Sequence, residues 1–144
     1  MPESRTLTRI IALDLGEKRV GVAYCSTVAM VAIPVDAFVV ERSLTDELDR
    51  LLAHVSEYSP DLFIVGDPID LSGRASVASE KVHAIADQLA AKSGVEVKFV
   101  DERLTSRTAT NRARASGQKL SRASGALDSM AAGLILEGYL DTIS

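Results

Sequence analysis

Two apolar segments joined by only three residues constrain this chain more than any other feature. Arg9–Leu15 is an almost continuous apolar run of strand length, and Arg19–Cys25 is another. Gly16-Glu17-Lys18 between them is too short for a crossover, so the two strands are antiparallel neighbours in a hairpin. Val28–Val40 supplies a third strand, and Pro34 within it predicts an edge position with a break or bulge at that residue.

After Val40 the hydrophobic period changes from strand to helix. Ser43 with Asp46 three residues on resembles a capping box, and Leu44, Leu48, Leu51, Leu52 and Val55 make one helical face. Leu62–Gly66 reads as a short buried strand followed by a loop, Asp67–Arg74, containing Pro68 and Gly73. Val82, Ile85, Ala86 and Leu89 mark a second amphipathic helix, and Val95–Val100 another strand. Leu104–Ala115 reads as a helix broken by Ser116-Gly117, and Leu127–Leu140 as a last helix, apolar nearly all round from Met130 to Leu136. The order β-β-β-α-β-α-β-α-α predicts an α/β fold. Its mixed five-stranded sheet has a three-strand antiparallel meander, then parallel strands, with helices on both faces. This is the order of ribonuclease-H-like folds. Residues 1–8 are expected as a flexible polar leader, and 9–144 as a single domain.

Composition narrows the function classes. A chain of 144 residues can bury one real core, and 47% hydrophobic with 25% charged residues excludes disorder. Cys25 is the lone cysteine, so no internal disulfide forms and a reducing compartment fits. Apolar runs such as Met130–Leu136 fall far short of the roughly 18 residues of a membrane span. The expectation is a soluble, cytoplasmic protein with no membrane partner. A net charge of −4 argues against a wholly basic coat but leaves room for a local basic face.

Three segments carry carboxylates where chemistry is expected. Asp14 ends a strand among Ile11, Ala12, Leu13 and Leu15, where an unpaired charge costs several kcal/mol. It is either a metal or phosphate-site acid or a cap on the turn to Lys18. Gly16 permits close approach of a ligand, and Lys18 and Arg19 set cations beside the acid. Asp101-Glu102-Arg103 directly follows a strand, where α/β sheets place their sites, though acids also favour helix starts. Asp128 opens a helix with almost no polar face, so packing against the sheet would carry it inward. Oxygen-only donors suit Mg²⁺ or Mn²⁺ rather than zinc. His54 and His83 have neither metal-ligand spacing nor a partner pattern for a general base.

From Arg103 to Leu127 there is no acid, yet Arg103, Arg107, Arg112, Arg114, Lys119 and Arg122 are there. In an acidic chain that is either a solvated face or a track for a phosphate backbone. Three Phe and three Tyr are too few for base stacking to be the main grip.

Taken in order, these residues resemble the YqgF/RuvX family of bacterial ribonuclease-H-like proteins, described as Holliday junction resolvases or pre-16S rRNA nucleases. The resemblance spans about Arg9 to Asp141. It rests on Asp14-Leu15-Gly16 with Lys18-Arg19-Val20-Gly21-Val22-Ala23, and on Val65-Gly66 with Pro68 and Gly73. Asp101-Glu102-Arg103-Leu104-Thr105 follows, and then Asp128 with Ala131-Ala132, Ile135-Leu136 and Tyr139-Leu140-Asp141. It implies catalytic acids at Asp14, Glu102 and Asp128, metal held by these with Asp101, and a nuclease maturing the 5′ end of pre-16S rRNA. Structured RNA, and alternatively branched DNA, would be the partner of a monomer or homodimer. The chain departs from the family at Asp67, where Leu is usual, at Ser26-Thr27, where Ser-Asp is frequent, and at Ser121-Arg122-Ala123-Ser124, where a Lys-rich stretch is common. Asp67 is expected to start a turn, with a supplementary metal ligand as the alternative. Rival readings are a junction resolvase, a non-catalytic ribosome-assembly factor, and an ATPase-type phosphate binder, which the short length disfavours.

Overall fold

The expected hairpin forms. In a computed structural model describing residues 8–69, 76–101 and 126–143, β1 (Arg9–Leu15) runs antiparallel to β2 (Arg19–Ser26), with Asp14 opposite Gly21. β3 (Ile33–Val39) pairs antiparallel with the far side of β2. On the other side of β1 lie β4 (Leu62–Asp67) and then β5 (Glu96–Asp101), each parallel to its neighbour. The sheet order is therefore β3-β2-β1-β4-β5, a meander continued by parallel strands.

Side-chain alternation sorts the sheet into two cores. Ile11, Leu13, Phe63 and Val65 pack beneath α1 (Leu48–Val55) and α2 (Val77–Ser93). Their neighbours Ile10, Ala12, Leu62 and Ile64 pack against α3 (Ala126–Ile143) through Ala132, Ile135, Leu136 and Leu140. The period of two is what gives each strand one face to each helical layer. The apolar girdle of α3 has the matching cause: its buried residues, Leu134 and Ser129 among them, meet β1, β2 and β3. The Ser129 hydroxyl donates to the Val35 carbonyl at 2.6 Å, which anchors the helix to the edge strand.

Local expectations needed three corrections. The third strand starts at Ile33 rather than Val28, because Ser26 closes a turn instead: its carbonyl accepts from Met30 and its hydroxyl from Ala29. The pairing does slip by one residue, but opposite Gly21, between Val20↔Phe38 and Val22↔Val35, and Pro34 itself sits in register on the edge. The Ser43–Asp46 capping box does not form, since the Ser43 side chain makes no cap bond. The buried Glu47 carboxylate takes its place, accepting the N–H groups of Glu41, Arg42 and Ser43. Those three donors hold the Glu47 carboxyl below its ordinary range, with the Arg50 guanidinium adding to them.

Thr8, placed by sequence in the leader, is tied to Thr27 by reciprocal bonds. The rest of that leader and the Leu104–Ala115 helix lie outside the described residues.

Candidate active site at the carboxyl edge of the sheet

Asp14 follows Ile10 and Ala12 in the alternation, on the α3 side of β1, one residue before the strand ends and half-buried. Its cross-strand partner is Gly21. A Cβ at Gly21 would lie 1.9 Å from the backbone oxygen of Asp128 and 3.1 Å from its Cβ. The opening turn of α3 therefore rests directly on the β2 backbone, at the residue paired with Asp14. Two of the expected acids, far apart in sequence, are brought to either side of one glycine. Packing of α3 on the sheet does this, because no side chain at Gly21 keeps the helix away.

Arg19 joins them. Its Nε stands 3.3 Å from Asp128 Oδ2, in a pair about one-third exposed. Such a pair contributes little to stability, but it sets a cation at the acid edge. Lys18, in the exposed turn, accepts the Val40 N–H through its carbonyl, and its ammonium has no partner among the described residues. A Cβ at Gly16 would meet the Arg19 carbonyl at 2.5 Å, so the turn closes too tightly for a side chain there.

Asp101 is placed differently. Odd positions of β5 belong to the α2 side: Val97 joins that core, and the Phe99 ring stacks on His83 with centroids 3.9 Å apart. Even positions face α3, where Val100 packs and Lys98 lies over the Tyr139 ring. Asp101 shares the odd register and stands opposite Asp67 of β4. Glu102 and the cations Arg103, Arg107, Arg112, Arg114, Lys119 and Arg122 lie outside the described residues.

Asp67 also faces α2, across the sheet from Asp14. It is 8% exposed, with Oδ1 accepting the Ser79 hydroxyl and Oδ2 2.7 Å from His83 Nε2. A turn follows it as expected, Ile69 donating to the Asp67 carbonyl. Through these two bonds the carboxylate ties α2 to β4. The sequence shows no partner pattern that would make either histidine a general base, and the His83–Asp67 contact is one it did not announce. Ser79 and His83, one helical turn apart on the buried side of α2, were the missed signal. His54 is also engaged, with Nε2 2.8 Å from the Asp36 carbonyl. Cys25 is fully buried on the α3 side, and burial pushes its thiol up, so it is a packing residue.

The donors at the Asp14–Asp128 edge are carboxylate oxygens, the chemistry a hard divalent cation prefers. Among the described residues no group of three His, Cys, Asp or Glu is assembled for a metal. No described helix is long and apolar enough to cross a membrane.

Comparison with known proteins agrees with this architecture. The profile of the RuvX family, described as Holliday junction resolvase, matches residues 8–142. A protein of Syntrophus aciditrophicus with the provisional name pre-16S rRNA nuclease is 35% identical over 136 residues, covering 94% of this chain and 90% of that one. A Lactococcus lactis protein of the same name is 36% identical over 134 residues, covering 92% and 94%. Among solved structures, Thermus thermophilus RuvC bound to a Holliday junction substrate superposes with a TM-score of 0.58 at 15% identity, covering 94% of this chain and 96% of that one. The fold defines the class, that of ribonuclease-H-like α/β folds. Within that class the chain belongs to the RuvX family.

Proposed function

We propose that this protein is a divalent-metal-dependent nuclease that hydrolyses phosphodiester bonds in structured RNA, trimming the 5′ end of pre-16S rRNA in the cytoplasm. The observation that carries the reading is the convergence of Asp14 and Asp128 on Gly21, with Arg19 against Asp128. The names of the relatives support the substrate.

Asp14 and Asp128 are the described residues that would hold Mg²⁺ or Mn²⁺. The cation, when bound, lowers the pKa of water and stabilises charge on the leaving oxygen. Glu102 is the third acid in this reading, since Asp101 shares the odd register of β5 that faces α2, away from Asp14. Arg19, held against the Asp128 carboxylate, sets a positive charge beside the acids that favours a substrate phosphate, and the ammonium of Lys18 is available to the same phosphate. Arg103, Arg107, Arg112, Arg114, Lys119 and Arg122 are proposed to follow the backbone beyond the scissile bond, which makes affinity fall with salt.

A second reading is resolution of four-way DNA junctions, favoured by the family's description and by the shared fold with a junction-bound RuvC. It requires two copies with their sites facing opposed strands. The test is cleavage of end-labelled RNA carrying the 16S leader beside a synthetic four-way junction, each with Mn²⁺, Mg²⁺ or EDTA. Metal-dependent cutting of the RNA, abolished in Asp14→Asn while folding and binding persist, supports the proposal. Symmetric cutting of the junction alone replaces it with the resolvase reading, and an Asp14→Asn variant that cuts like wild type refutes the site.

A further inference from the structure

Beneath the same carboxyl edge, on the α1–α2 side, lies a cavity of about 440 Å³. Its floor is apolar, made by Leu15, Leu44, Val82 and Ile85. Its rim is polar: Arg42, Ser43 and Thr45 on one side, Lys81 and Glu17 on the other. Lys81 and Glu17 already meet, at 3.7 Å. Among the described residues the Arg42 guanidinium and the Ser43 and Thr45 hydroxyls have no partner, although the Arg42 and Ser43 backbone N–H groups are taken by Glu47. Among the described residues the rim therefore carries one uncompensated positive charge and two uncommitted hydroxyls over an apolar slab.

We propose that this cavity binds a single unpaired nucleotide of the substrate strand, its base on the apolar floor and its phosphate at Arg42. The volume lies in the range of small-ligand sites, which are mostly apolar with a few placed polar groups. The two hydroxyls can each donate to or accept from a base edge, and a guanidinium matches a phosphate. The first turn of α2 contributes Ala78 to the wall, and the dipole of that 17-residue helix adds to the positive rim. Gly16 connects the cavity to the acids, because it lines the cavity and lies two residues after Asp14. A strand whose phosphate rests at Asp14 and Arg19 reaches the cavity with a neighbouring nucleotide once that nucleotide leaves its duplex. The cavity thus selects for an unpaired residue beside the cut. This inference rests on the nuclease reading for its substrate.

Two binding measurements in EDTA test it with the full chain. Adenosine 5′-monophosphate should shift the methyl resonances of Leu15, Leu44, Val82 and Ile85. An RNA duplex with one unpaired nucleotide at each end should bind several-fold more tightly than its blunt counterpart. Both effects should disappear in Ala78→Phe, which fills the cavity from an exposed helix position, and weaken about tenfold in Arg42→Ala, with both variants melting like wild type. Methyl shifts without preference for the unpaired end would mean a free-nucleotide site and overturn the assignment to the strand. Absence of both effects, or their survival in Ala78→Phe, overturns the proposal outright. Neither readout involves cleavage, so a chain that binds in this way yet cuts nothing refutes only the nuclease reading. One that cuts RNA but fails both tests refutes only the cavity.

Discussion

Replacing Gly21 by Ala tests the placement of the site through a single methyl group. The backbone at Gly21 does not require glycine, since Gly94 alone among the described glycines has a positive φ. What requires it is space. The added Cβ would sit 1.9 Å from the Asp128 carbonyl oxygen, against the 3.4 Å at which ordinary contact begins, so the opening turn of α3 must retreat by about 1.5 Å. Overpacking of this kind costs about 1–3 kcal/mol. For a chain of this size that lowers the melting temperature by about 2–12 °C, at roughly 2–4 °C per kcal/mol. The effect on activity is larger in proportion, because the retreat carries Asp128 away from Asp14. A misplacement of about 1 Å at a reacting centre costs about 100-fold in rate. Gly21→Ala should therefore remain folded at 25 °C while cutting leader RNA about 100-fold more slowly in Mn²⁺. Calorimetry and a cleavage time course read the two effects separately. A variant that melts with wild type and cuts at its rate would show that α3 does not rest on β2 at this residue, and the argument joining Asp14 to Asp128 would fail.

Two other variants probe groups away from the acid pair. Asp67→Ala leaves the Ser79 hydroxyl and His83 without their acceptor on the α2 side and should cost about 1–3 kcal/mol. Since Asp67 faces away from Asp14, cutting below the melting transition should be unchanged; loss of cleavage at full stability would place Asp67 in the site. Glu47→Gln weakens the acceptor of three N–H groups. The folded carboxyl titrates below its unfolded value, so its contribution is present above an unfolded pKa of about 4.3 and is lost as pH falls through the folded value. Melting curves of wild type and Glu47→Gln should be well separated at pH 7 and converge as pH falls through the lowered range of the folded carboxyl; a gap unchanged by acidification would refute the assignment.

Much of the fold is legible in the amino-acid order because it is set by local rules. A three-residue connection between two apolar runs can only make a hairpin, and Asp14 at the end of the first run marks the carboxyl edge of the sheet. The all-round apolar character of Met130–Leu136 likewise announces a helix pressed onto the sheet, and α3 is that helix. Even the edge position of Pro34 follows from a missing N–H.

Other features needed the chain to be closed up. Asp67 and Asp14 both end strands, and nothing local tells that one faces α2 and the other α3; the packing of the two helical layers decides it. The same parity separates Asp101 from the acid pair, although it sits in an acidic doublet at a strand end. Ser43 and Asp46 have the spacing of a cap, yet Glu47 takes the donors, because burial favours the carboxylate that can accept three at once. Sequence by itself determined which residues are acids at strand and helix ends, and the hairpin that holds the first of them. Only tertiary structure decided which acids come to the same glycine, because that depends on a helix from the far end of the chain approaching a residue with no side chain to stop it.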